Sequence, residues 1–245
     1  MKKLVIIIAV IVVVLFLAKD FIAGAFLTVG ISSFTDLPVT VQKLSLGVFN
    51  STVDVKGFKL GNPKMVFRER VMVDMPELYI NYDLGSFLAG TKHLKKVKLY
   101  LKEFVVVKNE GGVLNLDSLK AIQTKGQAGE KKQDLKFKID VLDLKIDKVV
   151  YKDYSRPGTP IVKEFNVGIN ERYTNITNPY SFAALVVFKA LANTSIASLA
   201  NFDLGPLKNS ASDALISTTK IAVEAAKEAV SKTTETVKGL LPFGK

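Results

Sequence analysis

Residues 96–102 read Lys96-Val97-Lys98-Leu99-Tyr100-Leu101-Lys102, and their strict alternation decides the fold class. In an extended chain successive side chains point to opposite faces, so Val97, Leu99 and Leu101 share one side and the lysines the other. Such a strand has one apolar face and one wet face. The same period of two runs outward from Pro38 to about Asn109. Val39 and Val41, Leu44 and Leu46, Val53 and Val55, and Phe58 and Leu60 are apolar with polar residues between them. Two further strands are written in Val71–Met75 and Leu78–Tyr82, where Val71, Val73, Leu78 and Ile80 carry the pattern. Pro76 separates them; it cannot donate to a ladder, and it predicts an edge, a bulge or a bend.

Residues 123–134 are polar and Gly-containing, and read as a loop or hinge. Strand patterning then resumes with Leu135, Phe137, Ile139 and Val141, after which the phase switches to Leu142, Leu144 and Ile146. A slip of one residue sends later side chains to the other face unless a bulge absorbs it, so a bulge is expected at that switch. Tyr151–Tyr154, the turn Ser155–Pro160 and Ile161–Glu171 make one more hairpin. After Pro179 the pattern becomes helical. Ser181–Leu199 is apolar over much of its circumference and is expected against the sheet or at a membrane surface. Asn209–Leu241 carries a thin heptad stripe of Ile216, Val223, Val230 and Val237, suited to a partner or a second copy.

At the other end, Lys2 and Lys3 precede the apolar run Leu4–Ala18, Lys19 and Asp20 interrupt it, and Phe21–Leu27 resumes it. The positive residues place the extreme N-terminus in the cytoplasm and send the remainder of the chain across the membrane. Ala23-Gly24-Ala25 has the form of a cleavage site, but bulky Phe21 and Ile22 favour retention as an anchor. The resulting expectation is an α+β chain. It has an N-terminal transmembrane helix (1–30), a bent and mostly antiparallel β-sheet, groove-like or a half-barrel (31–174), an apolar helical segment (175–206) and an amphipathic C-terminal helix (207–245).

The chemistry available is narrow. With no cysteine and one histidine, His93, the chain lacks thiolate metal sites, and it lacks the base-beside-nucleophile arrangements that most catalytic designs need. No enzyme, no cofactor and no nucleic-acid partner is expected. Gly57–Pro63 lacks the ending of a phosphate loop and reads as a strand-ending turn. Asp140, Asp143, Asp147 and Asp153 alternate with lysines on an extended strand, which suits solvent-facing charge better than calcium. His93 is expected to be exposed and without a catalytic partner. The net charge of +11 leaves lipid headgroups open as partners, with Lys92, Lys95, Lys96, Lys98 and Lys102 as the candidates, although a solvated, aggregation-resistant strand face explains the same row.

Three segments carry a resemblance: the apolar N-terminus leading into β-structure, Gly57-Phe58-Lys59-Leu60-Gly61-Asn62-Pro63, and the run from Asn81-Tyr82-Asp83-Leu84-Gly85-Ser86-Phe87-Leu88-Ala89-Gly90 to Gly111-Gly112-Val113-Leu114-Asn115-Leu116-Asp117-Ser118-Leu119. Over about its first half the chain resembles the AsmA-like family (envelope proteins of the AsmA, TamB and YhdP type) and, more distantly, the chorein-type bridge lipid carriers. It departs from that pattern at Lys102-Glu103-Phe104, where the family often has a proline, and it lacks the further β repeats of the long members. The resemblance implies a bacterial inner-membrane protein, single-pass, with its bulk in the periplasm, serving lipid transport or outer-membrane assembly.

The acyl-chain path would then be lined by Leu44, Leu46, Val53, Val55, Phe58, Leu60, Val71, Val73, Leu78, Ile80, Val97, Leu99, Leu101, Phe137, Ile139, Leu144 and Ile146, with membrane phospholipid as the partner. The same alternation also describes an ordinary closed core, and an interaction protein that self-associates or binds an envelope partner through 209–241.

Overall fold

The computed structural model describes residues 37–47, 49–119, 136–212 and 214–215. The expected membrane anchor, the 123–134 hinge and most of the C-terminal heptad helix lie outside the described residues. Within them the chain is α+β, built on an open and mostly antiparallel sheet of seven strands with few helices. The strands are β1 (Val39–Thr40), β2 (Lys43–Gly47), β3 (Thr52–Gly61), β4 (Val71–Tyr82), β5 (Lys92–Lys108), β6 (Phe137–Asp153) and β7 (Ile161–Ile176). Both β1 and β2 pair with the outer edge of β3, and the order then runs along the chain through to β7.

One junction differs from the rest. β5 and β6 are parallel, in register from Lys92 opposite Phe137 to Lys108 opposite Asp153. Parallel neighbours need a crossover rather than a hairpin, and residues 109–136 supply it, beginning with a 3-10 turn at Asn115–Leu119.

Pro76 does not divide β4 into two strands. It sits inside one continuous strand, and the registers of Lys56 with Glu77 and of Phe58 with Met75 place it across from Gly57, whose φ is 61°. At this line core-facing positions step by three instead of two: Val55 to Phe58, Leu101 to Phe104 and Ile146 to Val149 are consecutive core residues. On β7 the same line carries Gly168 at φ 56°, and the β6–β7 register shifts between Ile146 and Lys148. Left-handed glycines, a non-donating proline and a bulge are the devices by which long, coiled strands change facing without breaking the ladder.

The phase switch from Ile139 to Leu142 is present, but β6 holds a constant register with both neighbours there, so no bulge lies in it. The irregularity falls on the flanking strands instead. The β4–β5 register shifts between Asn81 and Tyr82, skipping Lys95 of β5, and Asn175 on β7 adopts φ 54°.

Helix α1 (Leu84–Leu88) lies between β4 and β5; after β7 come α2 (Pro179–Ala192) and α3 (Ile196–Ala200), then a helical stretch at 205–212. Asn178 caps α2 by accepting from the Tyr180 N–H at 2.8 Å, and Pro179 occupies the first turn, where a missing N–H costs nothing. α2 packs on β6 and β7, and Leu185, Leu191, Ile196, Leu207 and Ala211 enter the same core as the sheet. Among the described residues no helix is long and apolar enough to cross a membrane.

Candidate functional site

Register converts the apolar alternation into rows that run across the sheet. One row is Leu46, Val53, Ile80, Val97, Leu142 and Tyr173, from β2 to β7. Along it burial rises: Leu46, Val53 and Ile80 are half-buried, whereas Val97, Leu142 and Tyr173 retain 2%, 0% and 3% of their exposure. Leu60, Val73, Phe104 and Val149 form a second row with the same gradient.

Of the positions expected to line one apolar path, Leu44, Val55, Phe58, Val97, Leu99, Leu101, Ile139, Leu144 and Ile146 are buried. Leu46, Val53, Leu60, Val71, Val73, Leu78, Ile80 and Phe137 are half-buried. The helices cover the β6–β7 side of the face, and on β2, β3 and β4 most of the half-buried positions are interleaved with buried Leu44, Val55 and Phe58.

The opposite face carries the charges, and the parallel β5–β6 junction organises them. Lys96 lies 3.1 Å from Asp143, which also accepts from Arg172 Nε at 2.6 Å. Tyr100 donates to Asp147 at 2.5 Å, and Lys148 bridges to Glu103 at 2.8 Å. Lys95 pairs with Asp83 at 2.8 Å, and Lys98 stands over the Tyr79 ring at 5.6 Å. Of the five headgroup candidates, Lys95 and Lys96 are held in ion pairs, while Lys92, Lys98 and Lys102 are exposed, with Lys102 near enough to Asp147 to help lower its pKa. Of the β6 aspartates, Asp143 is thus the counter-charge of a β5 lysine, Asp147 takes Tyr100 of β5 and Lys145 of its own strand, and Asp153 takes Tyr151 and Ser155.

His93 departs from expectation. Its ring Nε2 is 2.7 Å from Asp140 Oδ2 and its side chain is only 21% exposed. Sequence reading missed the pair because it depends on β5 and β6 being parallel neighbours across a long crossover.

The carboxylates on this face titrate low. For Asp143 the hydrogen bond from Arg172 outweighs desolvation, and Lys96 adds to it. For Asp140, burial pushes the pKa up, but Lys138 and His93 together bring it below the ordinary value. A depressed folded-state pKa contributes stability above the unfolded value of about 4, and that contribution is lost as pH falls through the folded value. The melting temperature is therefore expected to hold steady from neutral pH to about 5 and to fall below about 4. In Asp143→Asn the fall should be shallower, with the variant melting roughly 2–4 °C lower at neutral pH, because single partly exposed pairs contribute little. A pH-resolved thermal melt of the two proteins checks this.

A buried amide pair joins two of the segments that carry the resemblance. Asn115 Nδ2 donates to Asn62 Oδ1 at 2.8 Å and to the Val105 carbonyl at 2.8 Å, while its Oδ1 accepts from the Val107 N–H at 2.9 Å. Asn62 Nδ2 in turn donates to the Glu69 carbonyl at 2.8 Å. The registered pairs of β4 with β5 end at Val73 and Phe104, so the Asn115 side chain completes the free edge of β5 beyond that point. These residues hold the fold together and leave no free group for a ligand. A cleft of about 440 Å³, lined by Lys108, Leu114, Asp117, Phe202 and Asp203 among others, opens where the crossover meets the helices.

No family model, no curated protein and no solved structure matches the chain.

Proposed function

We propose that this chain is a membrane-associated, non-enzymatic lipid-handling protein whose sheet shields acyl chains along β2, β3 and β4. The observation that carries this reading is the burial gradient. Apolar side chains in one continuous registered face are sealed on the β5–β6 side and remain half-open at Leu46, Val53, Leu60, Val73, Leu78 and Ile80. An apolar strip that keeps contact with solvent calls for an occupant or a partner. The resemblance to the AsmA-like family supports the same reading, with the N-terminal run 4–27 as the inner-membrane anchor, the sheet as a half-open groove in the periplasm, and envelope lipid transport or assembly as the process.

The closed part of the face narrows the path. Val97, at 2% exposure, has no room for a larger side chain, and Val97→Phe is expected to cost about 1–3 kcal/mol by overpacking. The informative position is its registered neighbour Ile80, which is half-buried. Native mass spectrometry of the detergent-purified protein should find stoichiometric phospholipid. Ile80→Asp should cut the bound lipid at least by half while the melting temperature drops by no more than about 4 °C, since a half-buried carboxylate stays hydrated.

A second reading has its own observation. The helices seal Leu142, Leu144, Ile146 and Val149 to 1% exposure or less, as in a closed interaction domain. A parent protein without phospholipid, together with an Ile80→Asp variant that changes nothing but stability, decides for that reading.

A further inference from the structure

At the end of the sheet formed by the start of β3, the end of β4 and the start of β5, two turns hold apolar side chains out into solvent. Phe49 is 90% exposed, Leu88 80%, Phe87 52% and Leu84 40%. These side chains are presented by ordered backbone. The Tyr82 N–H donates to the Ser51 carbonyl at 2.9 Å and Asn81 Nδ2 to the Asn50 carbonyl at 3.2 Å, which ties the turn before β3 to the end of β4. Asp83 caps α1 by accepting from the Ser86 N–H at 2.7 Å, and the Phe87 ring lies 5.9 Å from that of Tyr82.

Behind these turns stand exposed Lys92, Lys95 and Lys136. The acidic groups at this end are matched by cations: Asp83 by Lys95, and Asp140 by His93 and Lys138. The tip is therefore apolar at its extremity and basic at its base. Its most exposed side chains sit in turns beside basic groups, a pairing of apolar and cationic chemistry that suits an anionic lipid surface.

We propose that this end is a lipid-inserting tip that takes an anionic bilayer surface, with Phe49, Phe87 and Leu88 entering the acyl boundary and Lys92 and Lys136 meeting the headgroups. It lies at the end of β3 opposite to the one where the Gly61 N–H donates to the Pro38 carbonyl at 2.7 Å, close to where the described chain begins. The tip does not depend on lipid filling the sheet face.

The absence of cysteine permits a direct test on the full-length chain. Phe49→Cys, Leu88→Cys and, as a control on exposed β7, Asn170→Cys are labelled with an environment-sensitive dye and held in phosphatidylcholine nanodiscs. Vesicles of phosphatidylcholine with a phosphatidylglycerol fraction and brominated acyl chains are then added. The expected result is a blue shift and bromine quenching at positions 49 and 88 but not at 170, weaker with pure phosphatidylcholine vesicles and in high salt. Unlabelled Phe49→Ser/Leu88→Ser should keep the parent melting temperature and bind these vesicles at least about tenfold more weakly, from the apolar area removed.

Dyes at 49 and 88 that stay solvent-like in the presence of the vesicles would overturn the proposal. So would a shift that grows with protein concentration in the absence of vesicles, since a second copy of the chain would then be the occupant.

Discussion

Replacing Asn115 by alanine is expected to lower the unfolding free energy by about 3–5 kcal/mol, near the top of the range for a single substitution. The side chain is fully buried and makes three hydrogen bonds, to the Val107 N–H, the Val105 carbonyl and the Asn62 amide. Alanine removes every partner at once. Two backbone groups of β5 and one side-chain oxygen are left dry, and an unsatisfied buried group costs roughly 1–3 kcal/mol. Urea denaturation should show a lower midpoint with an unchanged slope, and the melting temperature should fall by about 8–15 °C.

Asn62→Ala should cost less, because it leaves Asn115 bonded to both strand groups. The two losses should not add: a double-mutant cycle is expected to show a coupling of about 1 kcal/mol between them. A loss below about 1 kcal/mol for Asn115→Ala would mean that water replaces the amide, and that the edge of β5 is open in solution.

The buried pair also shows where sequence reading stops. Strands were legible because one face of each is wet: the lysines of 96–102 alternate with Val97, Leu99 and Leu101, and those three are buried with 2%, 6% and 3% exposure. The helix after Pro179 was legible from its loss of alternation, whereas the Asn178 side chain that caps it came to light with the fold. Partnership between strands was not legible. Nothing in Lys92–Lys108 or Phe137–Asp153 says that they lie side by side in parallel, because direction is set by the crossover and not by the pattern of either strand. The pairings His93 with Asp140 and Lys96 with Asp143 depend on that unread fact.

Asn62 and Asn115, fifty-three positions apart, were visible only as pieces of two short motifs, and the bond between them required the fold. Pro76 was read correctly as a point of irregularity and wrongly as a strand break. A left-handed glycine across from it lets the ladder continue past one missing donor. The apolar positions of the face were readable one by one. Their division into sealed and half-open sets was not, because it is decided by where the helices 179–212 settle.

The second large effect arises from that placement. Leu185→Ala is expected to cost about 3 kcal/mol and to lower the melting temperature by roughly 6–12 °C. Leu185 has no exposed surface, and its helix is fastened at both ends: Asn178 caps the start, and Lys189 near the end reaches Glu171 of β7 at 2.8 Å and lies 5.6 Å from the Tyr173 ring. A helix of 14 residues is marginal without tertiary packing, so its persistence depends on the apolar side it buries. The cavity left by alanine therefore weakens the seal over β6 and β7 as well as the helix. Leu88→Ala, at an 80% exposed site, should change stability by no more than about 0.5 kcal/mol and serves as the reference. If Leu185→Ala also fell within that margin, the helices would be a loosely held cover, the sealed half of the face would be accessible in solution, and Val97, Leu99 and Leu144 would join Ile80 among the positions able to meet a lipid.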